Sequence, residues 1–373
     1  YDITYGDWSS DVCSSDLGGL AERARAWTPP PGWTRVLTVD AHTAGEPLRV
    51  VVDGFPDPGG TTVLERRRRA RERHDALRRA LMWEPRGHAD MYGCIVGPPT
   101  TEDGHFSVLF THNEGFSTMC GHGIVGVVTV LAEIGALPEG LLGRQSHSVR
   151  IDTPAGRVEA RADVSGGRVR AVSFENVPSF ALRLGAEVDV RGVGVCRYDL
   201  AYGGAFYAYV DADDFGLRLE PSETARLVEA GRAVKRAVQA ADPPVHPDDP
   251  DLGFVYGTIF VGPAHDSGGA GGPPAHSRNV CVFADGEVDR SPTGTGVSGR
   301  LALHRARGEI GVGEEIEIES ILGTRFRGRI LRESRVGEHA AVVPEVTGQA
   351  WITGRGELLV SPDDPLREGF LLR

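Results

Sequence analysis

From Trp33 onward the chain alternates short apolar runs with polar, glycine-rich breaks. Runs of four to eight residues rich in Val, Ile, Phe and Thr read as strands when turn residues bound them. On that basis Val36–Asp40 and Leu48–Val52 are expected as strands around a turn at Ala44–Pro47. The stretch Thr62–Met82 is expected as one helix, with Val63, Leu64, Ala76, Leu77, Ala80 and Leu81 facing inward. Strands at Cys94–Val96 and Phe106–Thr111 follow, then a polar loop, His112–Thr118. From Gly123 to Leu137 nearly every position is apolar, which describes a helix buried on all sides; Pro138 and Gly140 are expected to end it.

Ser148–Val177 alternates like strands joined by glycine turns, and 181–194 is expected to be the boundary between two lobes. Beyond it come a strand at Ala205–Val210, a helix at Ser222–Ala240 and a strand at Val255–Val261. A Gly/Pro-rich surface loop at Ala264–Ala275 precedes the strand Asn279–Phe283 and the turn Asp285–Gly286. A second helix then runs to Gly308. It is expected to be more amphipathic than the first, because Arg300, His304 and Arg305 alternate with Leu301 and Leu303. Glu315–Glu319, Thr324–Leu331, Ala340–Val343 and Ala350–Thr353 complete the strands.

The two buried-helix starts are versions of one motif. Met119-Cys120-Gly121-His122-Gly123-Ile124-Val125-Gly126 superposes on Pro292-Thr293-Gly294-Thr295-Gly296-Val297-Ser298-Gly299 at an offset of 173 residues. A period that long indicates two similar lobes rather than a solenoid. The copies differ at the position before the glycines, Cys120 in one and Thr293 in the other.

Composition narrows the possibilities. The 373 residues are 40% hydrophobic and 25% charged, with a formal net charge of −12. That describes a globular enzyme and argues against general nucleic-acid binding. The Arg66–Arg69 run lacks interleaved aromatics and reads as a solvated helix face. No run reaches the roughly 18–20 apolar residues of a membrane helix, so no membrane association is expected. Five scattered cysteines without a C-x-x-C pattern fit a reducing, cytoplasmic compartment and exclude a cysteine-type zinc site. Lys235, the single lysine, lies in an ordinary charged helical run, which disfavours pyridoxal-phosphate chemistry. Residues 1–17 resemble translated sequencing-adapter DNA and are set aside from the folded part, Cys13 with them.

Both glycine runs match G-x-G-x-x-G, but each follows a polar loop without βαβ spacing, against a dinucleotide site. The helix-start physics remains. Small residues let backbone N–H groups approach an anion, and the helix dipole adds positive potential. Two such starts facing one another could hold a small carboxylate. The same dipole is expected to favour the thiolate of Cys120 and make it a base or nucleophile.

Met119-Cys120-Gly121-His122-Gly123 and Asp289-Arg290-Ser291-Pro292-Thr293-Gly294-Thr295-Gly296 resemble the two signatures of the proline racemase family. Pro85–Gly93, Asp152–Gly156 and Tyr202–Tyr207 fit the same pattern, and the similarity covers about Trp33 to Phe370. The resemblance implies an α/β (α+β) fold of the diaminopimelate-epimerase type: two pseudo-symmetric lobes, each a β-sheet or barrel around a central helix. The expected division is 33–185 with 350–373 around Cys120, and 186–349 around Thr293.

Racemases of this family use two cysteines, one on each face of the substrate α-carbon. Thr293 stands where the second would be. Inversion needs a base on one face and an acid on the other, and a threonine hydroxyl is too weak for either role. The Cys/Thr pattern resembles the family's trans-3-hydroxy-L-proline dehydratases. It implies removal of the α-proton by Cys120 and loss of water to give 1-pyrroline-2-carboxylate, with no metal or organic cofactor. Gly121, His122, Gly294 and Thr295 are implied to contact the carboxylate or ring. Asp289 is implied to accept from the ring ammonium, and Thr293 to pack or hydrogen-bond on the far face. Asn113 and His88 are read as ordinary polar loop residues. The partner implied is a small imino acid, with a homodimer open. The alternatives are a proline racemase or hydroxyproline 2-epimerase, and a non-catalytic binding protein for proline-type amino acids.

Overall fold

The computed structural model describes residues 19–142, 148–265 and 275–372. The adapter-like segment 1–17 lies outside them, as does most of the Gly/Pro-rich loop at 264–275. A short helix, α1 (Leu20–Ala26), leads into β1 (Thr34–Thr43) and β2 (Glu46–Asp53). The turn is only Ala44–Gly45, both at positive φ; Glu46 and Pro47 already belong to β2.

Then come α2 (Val63–Arg73), α3 (Asp75–Met82), β3 (Tyr92–Gly97), β4 (Phe106–His112), β5 (Phe116–Ser117) and α4 (Gly121–Glu133). Strands β6 (Val149–Thr153), β7 (Gly156–Ser165) and β8 (Arg168–Glu175) follow. The second half holds β9 (Ser179–Val190), β10 (Gly194–Tyr202), β11 (Phe206–Asp211), α5 (Thr224–Ala241), β12 (Val255–Gly262), β13 (Ser277–Phe283), β14 (Glu287–Asp289) and α6 (Gly294–Ala306). It ends with β15 (Glu315–Glu319), β16 (Arg325–Val336), β17 (His339–Gly348) and β18 (Ala350–Val360).

The two halves repeat one plan. In the first, β2 and β3 are parallel neighbours across α2–α3, and β4 and β6 are parallel neighbours across α4. In the second, β11 and β12 are parallel across α5, and β13 and β15 across α6. Strand β17 pairs with β8 of the first lobe and with β9 and β16 of the second. The second sheet therefore closes on itself through β9, β10, β11, β12, β13, β15, β16 and β17. β8 packs on α4 and β9 on α6, so the chain passes between the two wraps at Asn176–Pro178.

Each wrap encloses one 13-residue helix. In α4, Ile124, Val125, Val127, Val128 and Val130 are fully buried. Such β-branched residues weaken an isolated helix, so burial inside the sheet is what holds this one. It ends earlier than Pro138 and Gly140 suggest: Gly135 turns the chain at φ 72°, and Ile134 is exposed.

Three expectations are corrected. The single helix over 62–82 is two, broken at His74, whose φ and ψ are −128° and 16°. Ala76 is exposed, and the inward positions include Arg67 and Arg78. The Arg66–Arg69 run is not a solvated face. Arg67 Nε donates to the carbonyl of Phe116, Arg66 to that of Pro98, and Arg68 to Asp251 in the second lobe. Finally, α6 is not amphipathic where it matters. Gly294 through Leu303 are all buried, including Arg300, which donates to Asn279 and Ser277. Loss of hydration pulls its guanidinium pKa down to about 10.

Candidate active site

The starts of α4 and α6 meet head to head between the lobes. A Cβ built on Gly121 would lie 2.5 Å from the Gly294 Cα, and one on Gly294 would lie 2.7 Å from the Gly121 Cα. Only glycine at both positions permits this approach. It gathers free N–H groups of both helices at one point. The cavity there is lined by Tyr92, Met119, Cys120, Gly121, His122, Tyr207, Tyr256, Cys281, Phe283, Asp289, Thr293, Gly294 and Thr295. All seven residues singled out from the sequence are in it. The loop before α4 is tied across the lobes by Thr118, whose hydroxyl donates to the Gly204 carbonyl at 2.8 Å.

The two residues that precede the glycines behave differently. Cys120 has extended backbone (φ −147°, ψ 113°) and caps its helix, its sulfur accepting from the Gly123 N–H at 3.2 Å. Thr293 sits at φ 64°, a conformation that a β-branched residue rarely adopts. It makes no side-chain cap, and its buried Oγ1 has no hydrogen-bond partner. Of the two expected roles, packing or hydrogen bonding on the far face, the hydroxyl forms no hydrogen bond and the side chain is buried at the cavity wall.

The Cys120 sulfur also lies 3.1 Å from His122 Nδ1. The expected thiolate preference is reversed here. Burial pushes the thiol well above its ordinary value, against the smaller help of the Gly123 N–H, and the carboxylates of Asp289 and Glu46 push the same way. Desolvation wins over the helix dipole, which is worth only about 0.3–2 kcal/mol. Burial likewise draws His122 down to about 4 despite Asp289 nearby, so its imidazole is neutral at pH 7. His122 is held by Tyr92, whose ring meets it edge-on at 4.6 Å.

Asp289, nearly fully buried, accepts from the Ser291 N–H at 2.7 Å, and its other oxygen is 3.9 Å from His122 Nδ1. Thr295 shares a 2.8 Å hydrogen bond with the Tyr207 hydroxyl. Behind Asp289, the fully buried Glu46 accepts from the Arg290 N–H at 2.7 Å. Burial and the Asp289 charge raise its pKa well above the usual carboxyl range, outweighing Arg290. The site thus has an anion-attracting end at the helix starts and a cation-attracting end at Asp289. That polarity matches an amino acid zwitterion.

The cavity is tight. The space open to the centre of a water-sized sphere is about 10 Å³, room for one water. Among the described residues no cluster of three or more His, Cys, Asp or Glu is arranged to hold a metal, and no helix is long and apolar enough to cross a membrane.

Sequence reading missed Tyr92, Tyr207, Tyr256, Cys281 and Phe283. Tyr92 and Tyr207 lie inside stretches already noticed. Cys281 and Phe283 share a face of β13 by period-two alternation, but that face points at the site only because β13 pairs with β14. Asn113 is a structural residue, its amide donating to the carbonyls of Met82 and His88; His88 is exposed.

The proline racemase family model matches residues 38–371 of the chain. A trans-3-hydroxy-L-proline dehydratase from Colwellia psychrerythraea is 42% identical over 363 residues, 96% of this chain and 100% of the relative. A 3-hydroxyproline 2-epimerase from Burkholderia multivorans is 44% identical over 340 residues, 90% of this chain and 98% of the relative. Among solved structures, a hydroxyproline epimerase from Agrobacterium vitis with bound trans-4-hydroxy-L-proline superposes with a TM-score of 0.83. It is 31% identical, covering 91% of this chain and 96% of its own.

Proposed function

The chain belongs to the proline racemase family, and we propose that it is a cofactor-independent dehydratase of trans-3-hydroxy-L-proline. The observation that carries this is the asymmetry at the paired helix starts. A thiol with an imidazole 3.1 Å away stands on one side, and an unactivated threonine hydroxyl occupies the matching position on the other.

The substrate carboxylate sits at the N–H groups of Gly121, His122, Gly294 and Thr295, and the ring ammonium at Asp289. The incoming cation and the hydrogen bonds of the helix starts lower the cost of a charged site. Cys120 gives its proton to solvent as the substrate ammonium and the helix N–H groups offset its burial, and the thiolate removes the α-hydrogen. In trans-3-hydroxy-L-proline the hydroxyl shares a face with that hydrogen. The proton held by Cys120 passes to the hydroxyl as the Cβ–O bond breaks, so water leaves and the thiolate is restored. The remaining enamine tautomerises to 1-pyrroline-2-carboxylate. Thr293, across the ring, neither gives nor takes a proton in this step.

The test is product identity. Purified protein given trans-3-hydroxy-L-proline should yield a product lighter by one water that reacts with o-aminobenzaldehyde. Recovery of only the C2 epimer refutes the dehydratase reading. It would support the second reading, a hydroxyproline 2-epimerase, which the Burkholderia multivorans relative favours. Unchanged substrate, with binding that survives Cys120→Ser, would leave the non-catalytic reading.

The lobe division is 33–185 with 350–373, and 186–349, with its first boundary better drawn at Asn176–Pro178, where the packing changes helix. The cysteines Cys94, Cys120, Cys196 and Cys281 are free and buried, the usage of a reducing compartment, which supports the cytoplasm. The family resemblance supports either a homodimer or a monomer with mobile lobes.

A further inference from the structure

A 3-hydroxyproline carries three polar groups, and two already have partners in the cavity, the carboxylate at the helix starts and the ring ammonium at Asp289. The third, the 3-hydroxyl, has none. Most polar side chains of the wall are committed elsewhere. Tyr92 shares a 2.6 Å hydrogen bond with Ser117, and Tyr207 a 2.8 Å one with Thr295. Among the described residues lining the cavity, only Thr293 and Tyr256 have a buried side-chain oxygen without a hydrogen-bond partner. Thr293 opens α6, across the cavity from Cys120. Tyr256, on β12 and 6% exposed, reaches from the second lobe into the aromatic cluster of the first. Its ring lies 5.9 Å from that of His112, which stacks 5.8 Å from Tyr92. Tyr92 in turn holds His122 beside the Cys120 sulfur. That run of ring contacts puts Tyr256 on the Cys120 side. Phe283 stacked at 5.5 Å and Tyr207 edge-on at 5.8 Å fix its ring from the second lobe. A buried tyrosine ordinarily finds a partner for its hydroxyl, and this one finds none in the protein.

We propose that Tyr256 is the catalytic residue that holds the leaving group: its phenol donates a hydrogen bond to the substrate's 3-oxygen and bears part of the negative charge that develops there as the Cβ–O bond breaks. This rests on the dehydratase reading, which supplies the substrate and the base. The electron pair left on the α-carbon forms the C=C bond, and the Cβ–O pair departs with the oxygen. Cys120 supplies the proton that makes the departing group water. The Tyr256 O–H bond stays intact throughout, so Tyr256 neither gains nor loses a proton and nothing is oxidised or reduced. Burial, then the Glu287 carboxylate and the Cys120 sulfur, push the phenol well above its ordinary value, which suits a donor and not a base. Tyr92 also stands near it, but no bond of good geometry joins the two. A fixed donor aimed at developing charge acts mainly in the transition state. It selects rings with a hydroxyl on the carbon next to the α-carbon, on the same face as the α-hydrogen.

The experiment is Tyr256→Phe, which removes one oxygen and keeps the ring contacts, assayed with trans-3-hydroxy-L-proline beside the wild type. Its kcat for pyrroline formation should fall by about 10²–10³-fold, the usual cost of losing one donor to developing charge. KM should stay within about threefold, because the lost bond matters chiefly in the transition state. Thermal denaturation should show no fall in Tm, since the oxygen makes no hydrogen bond within the protein. A merely structural tyrosine predicts a different pattern, with Tm lowered and KM raised along with any loss of rate. A kcat within about threefold of the wild type overturns the proposal. So does a loss of kcat that comes with a lower Tm or a matching rise in KM. A wild type that forms no pyrroline overturns the dehydratase reading itself, and the role of Tyr256 with it.

Discussion

The head-to-head contact of the two helix starts makes a sharp prediction at Gly121. A methyl group there would lie 2.5 Å from the Gly294 Cα and 2.9 Å from its carbonyl carbon, both backbone atoms that cannot rotate away. Ordinary carbon–carbon contact is about 3.5–4.0 Å, so Gly121→Ala must push the helices apart by about 1 Å. Overpacking of this kind typically costs about 1–3 kcal/mol. The functional cost is larger, because the displaced elements carry Cys120 on one side and the Gly294–Thr295 N–H groups on the other. A 1 Å misplacement of reacting groups is worth on the order of a hundredfold in rate. The assay is kcat/KM for pyrroline formation, alongside thermal denaturation. Gly135→Ala is the control. At Gly135 the added methyl meets nothing within 4 Å but the backbone is at φ 72°, so it should lose roughly 1 kcal/mol of stability and keep its rate. If Gly121→Ala retains kcat/KM within about threefold, helix approach does not govern the chemistry.

Cys120→Ser should reduce turnover by roughly a thousandfold or more while the protein stays folded, as expected for loss of the base; circular dichroism and the pyrroline assay together check this. Asp289→Asn removes the charge opposite the ring ammonium and should lower kcat/KM on the order of 10–100-fold, a hydrogen bond to a charged group being worth about 1.5–3 kcal/mol. The raised Cys120 thiol predicts activity that climbs with pH through and beyond neutrality. His122, already neutral, should add no inflection between about pH 5 and 7; an inflection there that vanishes in His122→Asn contradicts this. Glu46 has its folded pKa raised, so the native state holds a proton that the unfolded chain has released. Its stabilising contribution is complete below about pH 4.5 and is lost as pH rises toward the folded value. Glu46→Gln should flatten the fall of Tm with pH above that point, and an unchanged slope counts against a buried, raised carboxyl.

Much of this protein is legible in the amino acids alone, because the informative features are local. The repeated small-residue helix start, the continuous apolar run behind Cys120, and the Cys120/Thr293 difference need no knowledge of what lies across the fold. Together they point to the family, the two-lobed plan and a one-sided base. What the tertiary structure decides depends on partners distant in sequence. Arg67, Arg78 and Arg300 look like surface charges until the carbonyls of Phe116 and His112 and the side chain of Asn279 close around them.

Cys120 and Thr293 occupy matching positions, yet one caps its helix and the other is turned to φ 64° with its hydroxyl unpaired. The helix dipole favours a thiolate at Cys120, but burial is a property of the whole wrapped lobe, and desolvation outweighs a partial charge at one helix end. Cys281 enters the site only through the pairing of β13 with β14. A strand's alternation says which residues share a face, and only the assembled sheet says what that face meets.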